Sequence, residues 1–318
     1  ERIRFLIEQR GVDPSRICAL TFTNKAAEEV AGRLRREIGP TAEAVTRCTI
    51  HSLCVRILRA HGELLGLERG FGIADEDYQH EVLARFGVGM KWRASTLTRF
   101  SAFRLGVGEL NDRDRVRFAR YRGYLARRKM IDFDDLIHLA DELFTRFPEA
   151  AREVARGFDQ VLVDEFQDLN HLQYAVVRAL AAEHRNIFVV GDDEQSIFSW
   201  TGADPNLIVR FANEFGATDR IVLDENRRTA RQIFALARRL ISSNTSLFDK
   251  QVRAVRSSTF PVEARVFEDA AAETAWLLED IRSDRAASSL PWGEYAVLYR
   301  THAIGDVLEG ALMQAGIP

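Results

Sequence analysis

Apolar and polar positions along the chain fall into alternating blocks. Residues 16–22 (RICALTF) form a short apolar run bounded by turn residues, which predicts a buried strand, and from Asn24 onward Ala27, Val30, Ala31, Leu34 and Ile38 share one helical face. A second strand–turn–helix unit follows, with a strand over 44–50 and a helix over 52–61, and further strands are predicted at 160–164 and 186–192. Strands alternating with helices predict a parallel α/β sheet whose strands are covered on both faces. After Thr229 the pattern restarts: a helix over 231–242, a strand over 262–267, a helix over 271–283, a strand over 295–299 and a final helix. The chain opens inside a helical pattern (ERIRFLIEQR) without an initiating Met and stops soon after another, so both ends read as cut.

Between about Gly66 and Lys129 the pattern is helix and turn, with no apolar strand. Here charge changes the picture. The whole chain of 318 residues carries 44 Lys and Arg against 47 Asp and Glu, a net charge of −3, which excludes a wholesale polycation. From Arg85 to Lys129, however, thirteen basic residues face three acids, with Trp92, Phe100, Phe103, Phe118, Tyr121 and Tyr124 among them. Two readings fit. A basic surface with interleaved aromatics can follow a phosphate backbone and stack bases; alternatively the aromatics are the insert's own small core and the arginines a solvated face.

Composition otherwise indicates an ordinary globular chain, 46% apolar and 29% charged, of about two domains on a prior of roughly 150 residues each. No apolar run approaches the ~20 residues of a membrane-spanning helix. Cys18, Cys48 and Cys54 form no CxxC pair, which fits free thiols in a reducing, cytoplasmic compartment, and no zinc-ligand spacing is present.

Candidate chemistry lies at predicted strand ends. Asp164 and Glu165 follow the apolar run VLV, where ligands bind in open α/β sheets; such an Asp can hold Mg²⁺, and the Glu can orient or deprotonate water. Two acids after a strand serve equally as caps or solvated groups, and Asn170 is a candidate N-cap for the next helix. The following strand runs into Gly191-Asp-Asp-Glu-Gln195, whose amide could sense a phosphate, and a strand-like Ile221-Val-Leu223 precedes Arg227 and Arg228, a pair suited to an arginine finger.

The ordered set ALTFTNKAAEEV (19–30), TIHSLCVRILR (49–59), DFDDLI (132–137), VLVDEFQDLN (161–170), VVGDDEQSIFSWTGADP (189–205), ENRRT (225–229) and AVLYR (296–300) resembles the UvrD/Rep/PcrA family, superfamily 1 DNA helicases that move 3′ to 5′ along single strands. The blocks cover the chain end to end. The resemblance implies RecA-like, parallel-sheet P-loop NTPase lobes: a first motor lobe in two parts (1–66 and 131–214), a basic helical DNA-binding insert (67–130) and the N-terminal half of a second lobe (215–318). It implies ATP and Mg²⁺ as cofactors, single-stranded DNA and single/double-strand junctions as partners, and unidentified repair or recombination proteins beside them.

By the same resemblance Asp164 is the Mg²⁺ ligand, Glu165 the general base and Gln195 the γ-phosphate sensor. Arg228 is the finger, with Arg227 at the nucleotide where the family usually has a Tyr that stacks on adenine; a guanidinium plane could stack there instead. Thr21, Thr23, Asn24, Thr49 and His51 match segments that contact the strand backbone, and Trp200 matches a base-stacking aromatic, its other reading being core packing. Gln167 and Asp168 are relay or structural groups, and Arg300 matches a family motif. One departure is large: no GxxxxGK[ST] phosphate loop occurs in residues 1–318. The loop is expected just upstream of Glu1, and without it the chain should hydrolyse little ATP. A non-catalytic single-strand-binding relative and the motor part of a helicase–nuclease are the rival readings.

Overall fold

The computed structural model describes residues 1–216, 219–244, 246–258 and 260–318. The chain forms two compact units, one of Glu1–Leu223 with Ile241–Gln251, the other of Asp224–Leu240 with Val252–Pro318.

In chain order the first unit contains α1 (Arg2–Glu8), β1 (Ile17–Thr21), α2 (Asn24–Ile38), β2 (Thr46–Thr49), α3 (Ile50–His61), β3 (Gly72–Ala74), α4 (Glu76–Arg85), α5 (Met90–Arg104), α6 (Asp112–Arg127), β4 (Met130–Asp132), α7 (Phe133–Arg146), α8 (Pro148–Arg156), β5 (Gln160–Val163), α9 (His171–Leu180), β6 (Ile187–Val189) and α10 (Leu207–Phe215). Its main sheet has the order β2-β1-β5-β6 with every pairing parallel, so the chain is α/β as its periodicity predicts. Every residue of β1 is buried, which is why this strand reads as a continuous apolar run rather than an alternating one. Helices on the sheet contribute Leu53, Ile57, Leu136, Leu143, Val176 and Leu180 to one core, while Ile3, Leu6 and Leu34 form another with Ile17 and Ala19.

The insert departs from expectation in two ways. It is not strand-free: β3 and β4, three residues each, pair in parallel between Gly72–Ala74 and Met130–Asp132 and close its base. Elements this short carry no readable period. Its aromatics, moreover, mostly face inward. Phe100, Phe118 and Tyr121 are buried with Leu83 and Leu125, and Phe103 and Tyr124 pack against them, so the base-stacking reading fails for these five. Trp92 alone among the six is exposed. Several arginines lie over the rings rather than apart from them: Arg104 over Phe118, Arg115 over Phe103, Arg120 over Phe86 and Arg128 over Tyr124.

The second unit contains β7 (Glu225–Ala230), α11 (Arg231–Ile241, whose last residue groups with the first unit), β8 (Arg253–Arg256), α12 (Ala270–Ser288) and α13 (His302–Gln314). Among the described residues its strands are β7 and β8, a parallel pair, and not the predicted ones. Residues 221–223, 262–267 and 295–299 are irregular. A strand exists only through ladder bonds to a neighbour; among the described residues these stretches have none, and Val266 (99% exposed) and Leu298 (96%) stand in solvent.

Candidate nucleotide and nucleic-acid site

Because the four strands of the main sheet run parallel, their carboxyl ends share one edge. β1 delivers Thr21 to Asn24 there, β2 delivers Thr49 and His51, β5 delivers Asp164 and Glu165, and the loop after β6 delivers Asp192 to Gln195. Seven of the predicted site residues are thereby brought to a single edge, with Gln195 on the turn beside them.

The threonines serve the backbone. Thr23 Oγ1 accepts from Ala26 N (3.1 Å) and caps α2, Thr49 Oγ1 accepts from Ser52 N (3.2 Å) and caps α3, and the Thr21 hydroxyl donates to the Thr23 carbonyl (3.0 Å). Thr21 and Thr49 are buried, Thr23 and Asn24 exposed, and His51 is half-buried with its ring edge-on to Phe133. The two capped N-termini, not the threonine hydroxyls, are what this edge offers to an anion.

Asp164 and Glu165 cap no helix. Both are exposed; Asp164 Oδ1 accepts from Glu165 N at 3.0 Å. Partial desolvation of the Asp164 carboxyl by the protein around it, with Glu165 beside it, raises its pKa from the ordinary value although the residue reaches solvent. Two adjacent acids without a basic partner among the described residues suit a hard divalent cation, and their oxygen donors fit Mg²⁺. Glu165 has φ +51°, a left-handed backbone uncommon for a residue with a side chain. Its carboxylate is held there by Gln167, whose Nε2 donates to Glu165 Oε2 (2.9 Å) and to Asp168 Oδ2 (3.3 Å).

Gln167 is fully buried, and its Oε1 accepts from Asp192 N at 2.9 Å. Asp192 Oδ2 in turn accepts from Gln195 Nε2 at 2.8 Å. Glu165 and Gln195, 30 positions apart in sequence, are therefore joined through two side chains. Gly191 makes this approach possible: a Cβ there would lie 2.9 Å from Gln167 Oε1. Asn170 caps α9 as predicted, in a reciprocal capping box with Gln173.

Trp200 is 76% exposed, so core packing does not explain it. It continues a run of rings: Phe22 lies 5.0 Å from Phe198, and Phe198 lies 6.2 Å from Trp200 between centroids. Sequence reasoning passed over Phe22 and Phe198, although both fall inside quoted motifs. Behind the rings a cavity of about 370 Å³ opens between lobe and insert, lined by Thr21, His51, Arg104, Asp164, Asp168 and Trp200.

Arg227, Arg228 and Arg300 belong to the second unit and are exposed. Arg227 pairs with Glu225 (2.6 Å), while Arg228 N donates to Asn226 Oδ1 (3.1 Å) and leaves its guanidinium outward.

A parallel α/β lobe that gathers acids, an amide relay and capped helix N-termini at one strand edge is an arrangement suited to binding phosphate. The chain belongs to the UvrD/REP helicase family: the UvrD/REP helicase N-terminal domain matches residues 1–102 and 107–216, and the UvrD-like helicase C-terminal domain matches 221–318. It is similar to the ATP-dependent DNA helicase PcrA of Staphylococcus epidermidis, 33% identical over 338 aligned positions, and to that of Staphylococcus aureus, 31% identical over 337. In both cases all of this chain is covered but 46% of the relative, so the chain spans about half the length of the curated proteins it matches. Among the described residues no helix is long and apolar enough to cross a membrane.

Proposed function

We propose that the chain is part of an ATP-driven motor that moves 3′ to 5′ along single-stranded DNA and serves repair or recombination. The observation that carries the reading is the relay Glu165–Gln167–Asp192–Gln195, which ties a candidate base to a candidate phosphate sensor. In this reading Asp164 holds Mg²⁺, which supplies charge neutralisation at the phosphates when bound. Glu165 accepts the proton of the attacking water, and Gln167 fixes the carboxylate oxygen that does not. Gln195 reports the γ-phosphate to the loop that leads to Trp200. Arg228 adds positive charge to the leaving phosphates and Arg227 packs on the base. Hydrolysis requires a phosphate loop in the same protein, since none lies within residues 1–318.

The DNA track is supported by the rings Phe22, Phe198 and Trp200, where bases can stack, and by one face of α6. Arg113, Arg120 and Arg127 are exposed at seven-residue intervals, about 10 Å apart on a helix, and no acid among the described residues pairs with them. Three cations in a row without an acidic partner fit a phosphate backbone, while the aromatics of the insert, Phe86 beneath Arg120 among them, fill its core.

In the full-length protein, single-stranded DNA should raise ATP turnover, and Glu165→Gln should lower that turnover by about 10²-fold or more with strand affinity unchanged. A wild-type protein that binds DNA without stimulated turnover would point to the non-catalytic relative, and an active Glu165→Gln variant would remove Glu165 from the role of base.

A further inference from the structure

The loop that carries Gln195 poses an electrostatic problem. Asp192, Asp193 and Glu194 are consecutive on a single turn, and the side chains of Asp193 and Glu194 are almost fully covered. Carboxylates this close repel one another and are costly to bury without a cation. The compensating charge comes from Lys250, whose ammonium lies 2.5 Å from Asp192 Oδ1, hydrogen-bonds Asp193 Oδ1 and stands 3.9 Å from Glu194 Oε2. The same segment adds Leu247 N, donating to Asp193 Oδ2 (2.7 Å), and Ser246 Oγ, donating to Glu194 Oε1 (2.9 Å). Each of the three acids thus has a donor from Ser246, Leu247 or Lys250. The segment Ile241–Gln251 packs within the first unit, although the chain on either side of it belongs to the second.

Asp192 is the branch point of this arrangement. Its Oδ1 receives Lys250 and Glu194 N (3.1 Å), its Oδ2 receives the Gln195 amide, and its own N–H donates to Gln167, which holds Glu165. We infer that Lys250 is a positioning residue for hydrolysis: by closing the acidic turn it sets where Gln195 stands and, through Asp192 and Gln167, where Glu165 stands. The inference rests on the function proposed above for those two residues. Burial works against the Asp192 carboxylate, and hydrogen bonds from Lys250 and Gln195 outweigh it, leaving the acid ionised further below neutrality than usual.

The test uses the full-length protein with Lys250→Met and Lys250→Arg, read by DNA-stimulated ATP turnover, KM for ATP, affinity for an oligothymidylate and backbone amide exchange. Lys250→Met should lower kcat by about tenfold or more while KM and DNA affinity stay within about threefold, the pattern of a group that acts on the reaction step rather than on binding. Amides of Glu194 and Leu247, whose acceptors are the clamped acids, should exchange faster in that variant. Lys250→Arg, which keeps the charge, should return kcat to within about threefold of wild type. Wild-type kcat in Lys250→Met overturns the inference, as does a loss of kcat, KM and thermal stability together that arginine fails to rescue. If the wild-type protein shows no DNA-stimulated turnover, the proposed function falls first, and faster amide exchange would then mark Lys250 as a structural clamp without a catalytic role.

Discussion

Two ion clusters in the first unit each gather three acids around a central cation, Arg104 in one, where Arg122 also pairs with Asp135 (3.5 Å), and Lys250 in the other, and they differ in how they are built. Arg104, at the end of α5, is 3% exposed and reaches Asp132 through both Nη atoms at 2.7 Å, Asp134 at 3.1 Å and Asp135 at 3.7 Å. Tyr121 on α6 donates its hydroxyl to Asp132 (2.8 Å), and Asp132 caps α7 by accepting from Asp135 N (2.9 Å). Burial opposes the guanidinium's charge, but Asp132, Asp135 and Asp134 outweigh it and hold the proton more firmly than usual. This cluster is centred on a bidentate fork and made by helix ends, and it fastens the insert to the lobe. The Lys250 cluster is built from an irregular segment and a single turn, with Asp192 partly open to solvent. A fork of fixed geometry suits a joint that must not turn; a compact charge with rotatable donors suits a loop that must close without being locked.

The largest effect should come from breaking the joint. Arg104→Met takes the shared cation from Asp132 and Asp134 and leaves Asp135 with Arg122 alone, and should cost about 3–5 kcal/mol in urea unfolding, the usual loss when one partner of a buried pair is removed. Arg104→Lys should recover only a minor part of that, because an ammonium cannot reproduce the fork, whereas Lys250→Arg is expected to function. If lysine serves at 104 as well as arginine does, the distinction between a fixed joint and a closing clamp disappears.

A smaller effect sharpens the same contrast. Tyr121→Phe removes one donor from Asp132 but leaves Arg104 in place, and the loss of a hydrogen bond to a charged group should cost about 1.5 kcal/mol in the same measurement. No change would mean that the arginine alone satisfies Asp132 and that α6 joins the cluster only through Arg122, which pairs with Asp135.

What the amino-acid sequence revealed of this arrangement follows from how local each signal is. β1 and β5 were legible because buried parallel strands are short apolar runs, β6 as an apolar run although it is only partly covered, and β2 by the apolar residues that flank it; their edge residues were legible because parallel direction sends every carboxyl end the same way. β3 and β4 were not, since three-residue strands 58 positions apart exist only through each other. The alternation at 262–267 and the apolar run at 295–299 are real strand signals that find no neighbour among the described residues. The aromatics of the insert looked alike as core and as stacking surface, and only burial separated Phe100 from Trp92. Lys250 sits 55 residues past Gln195, in a stretch that reads as the second lobe, so no spacing pointed to it. Arg104 lay in plain view as one more positive charge of the insert; its partners in DFDD fall just beyond the run of basic residues in which it was counted.

Asp168 supplies the counter-case, a buried acid with no ion-pair partner among the described residues. It is 6% exposed, its Oδ1 has no hydrogen-bond partner, and burial together with neighbouring Glu165 pushes its pKa up to about 6. A carboxyl whose folded pKa lies above its unfolded value binds its proton more tightly in the native state, so stability rises as pH falls from about 7 toward about 4. This is the reverse of Asp192, whose lowered pKa makes it lose stabilisation on acidification. Asp168→Asn should therefore be more stable than wild type near pH ~7, and the advantage should shrink by about pH 4.5, where the wild-type carboxyl is largely protonated. Asp135, also raised by burial and by Asp132, contributes the same slope to both proteins and cancels in the difference. Urea unfolding of the two proteins at both pH values measures it. A gap that does not change with pH would mean that Asp168 is satisfied as an anion, and that the two clusters with cations are not distinguished from this one by the charge they contain.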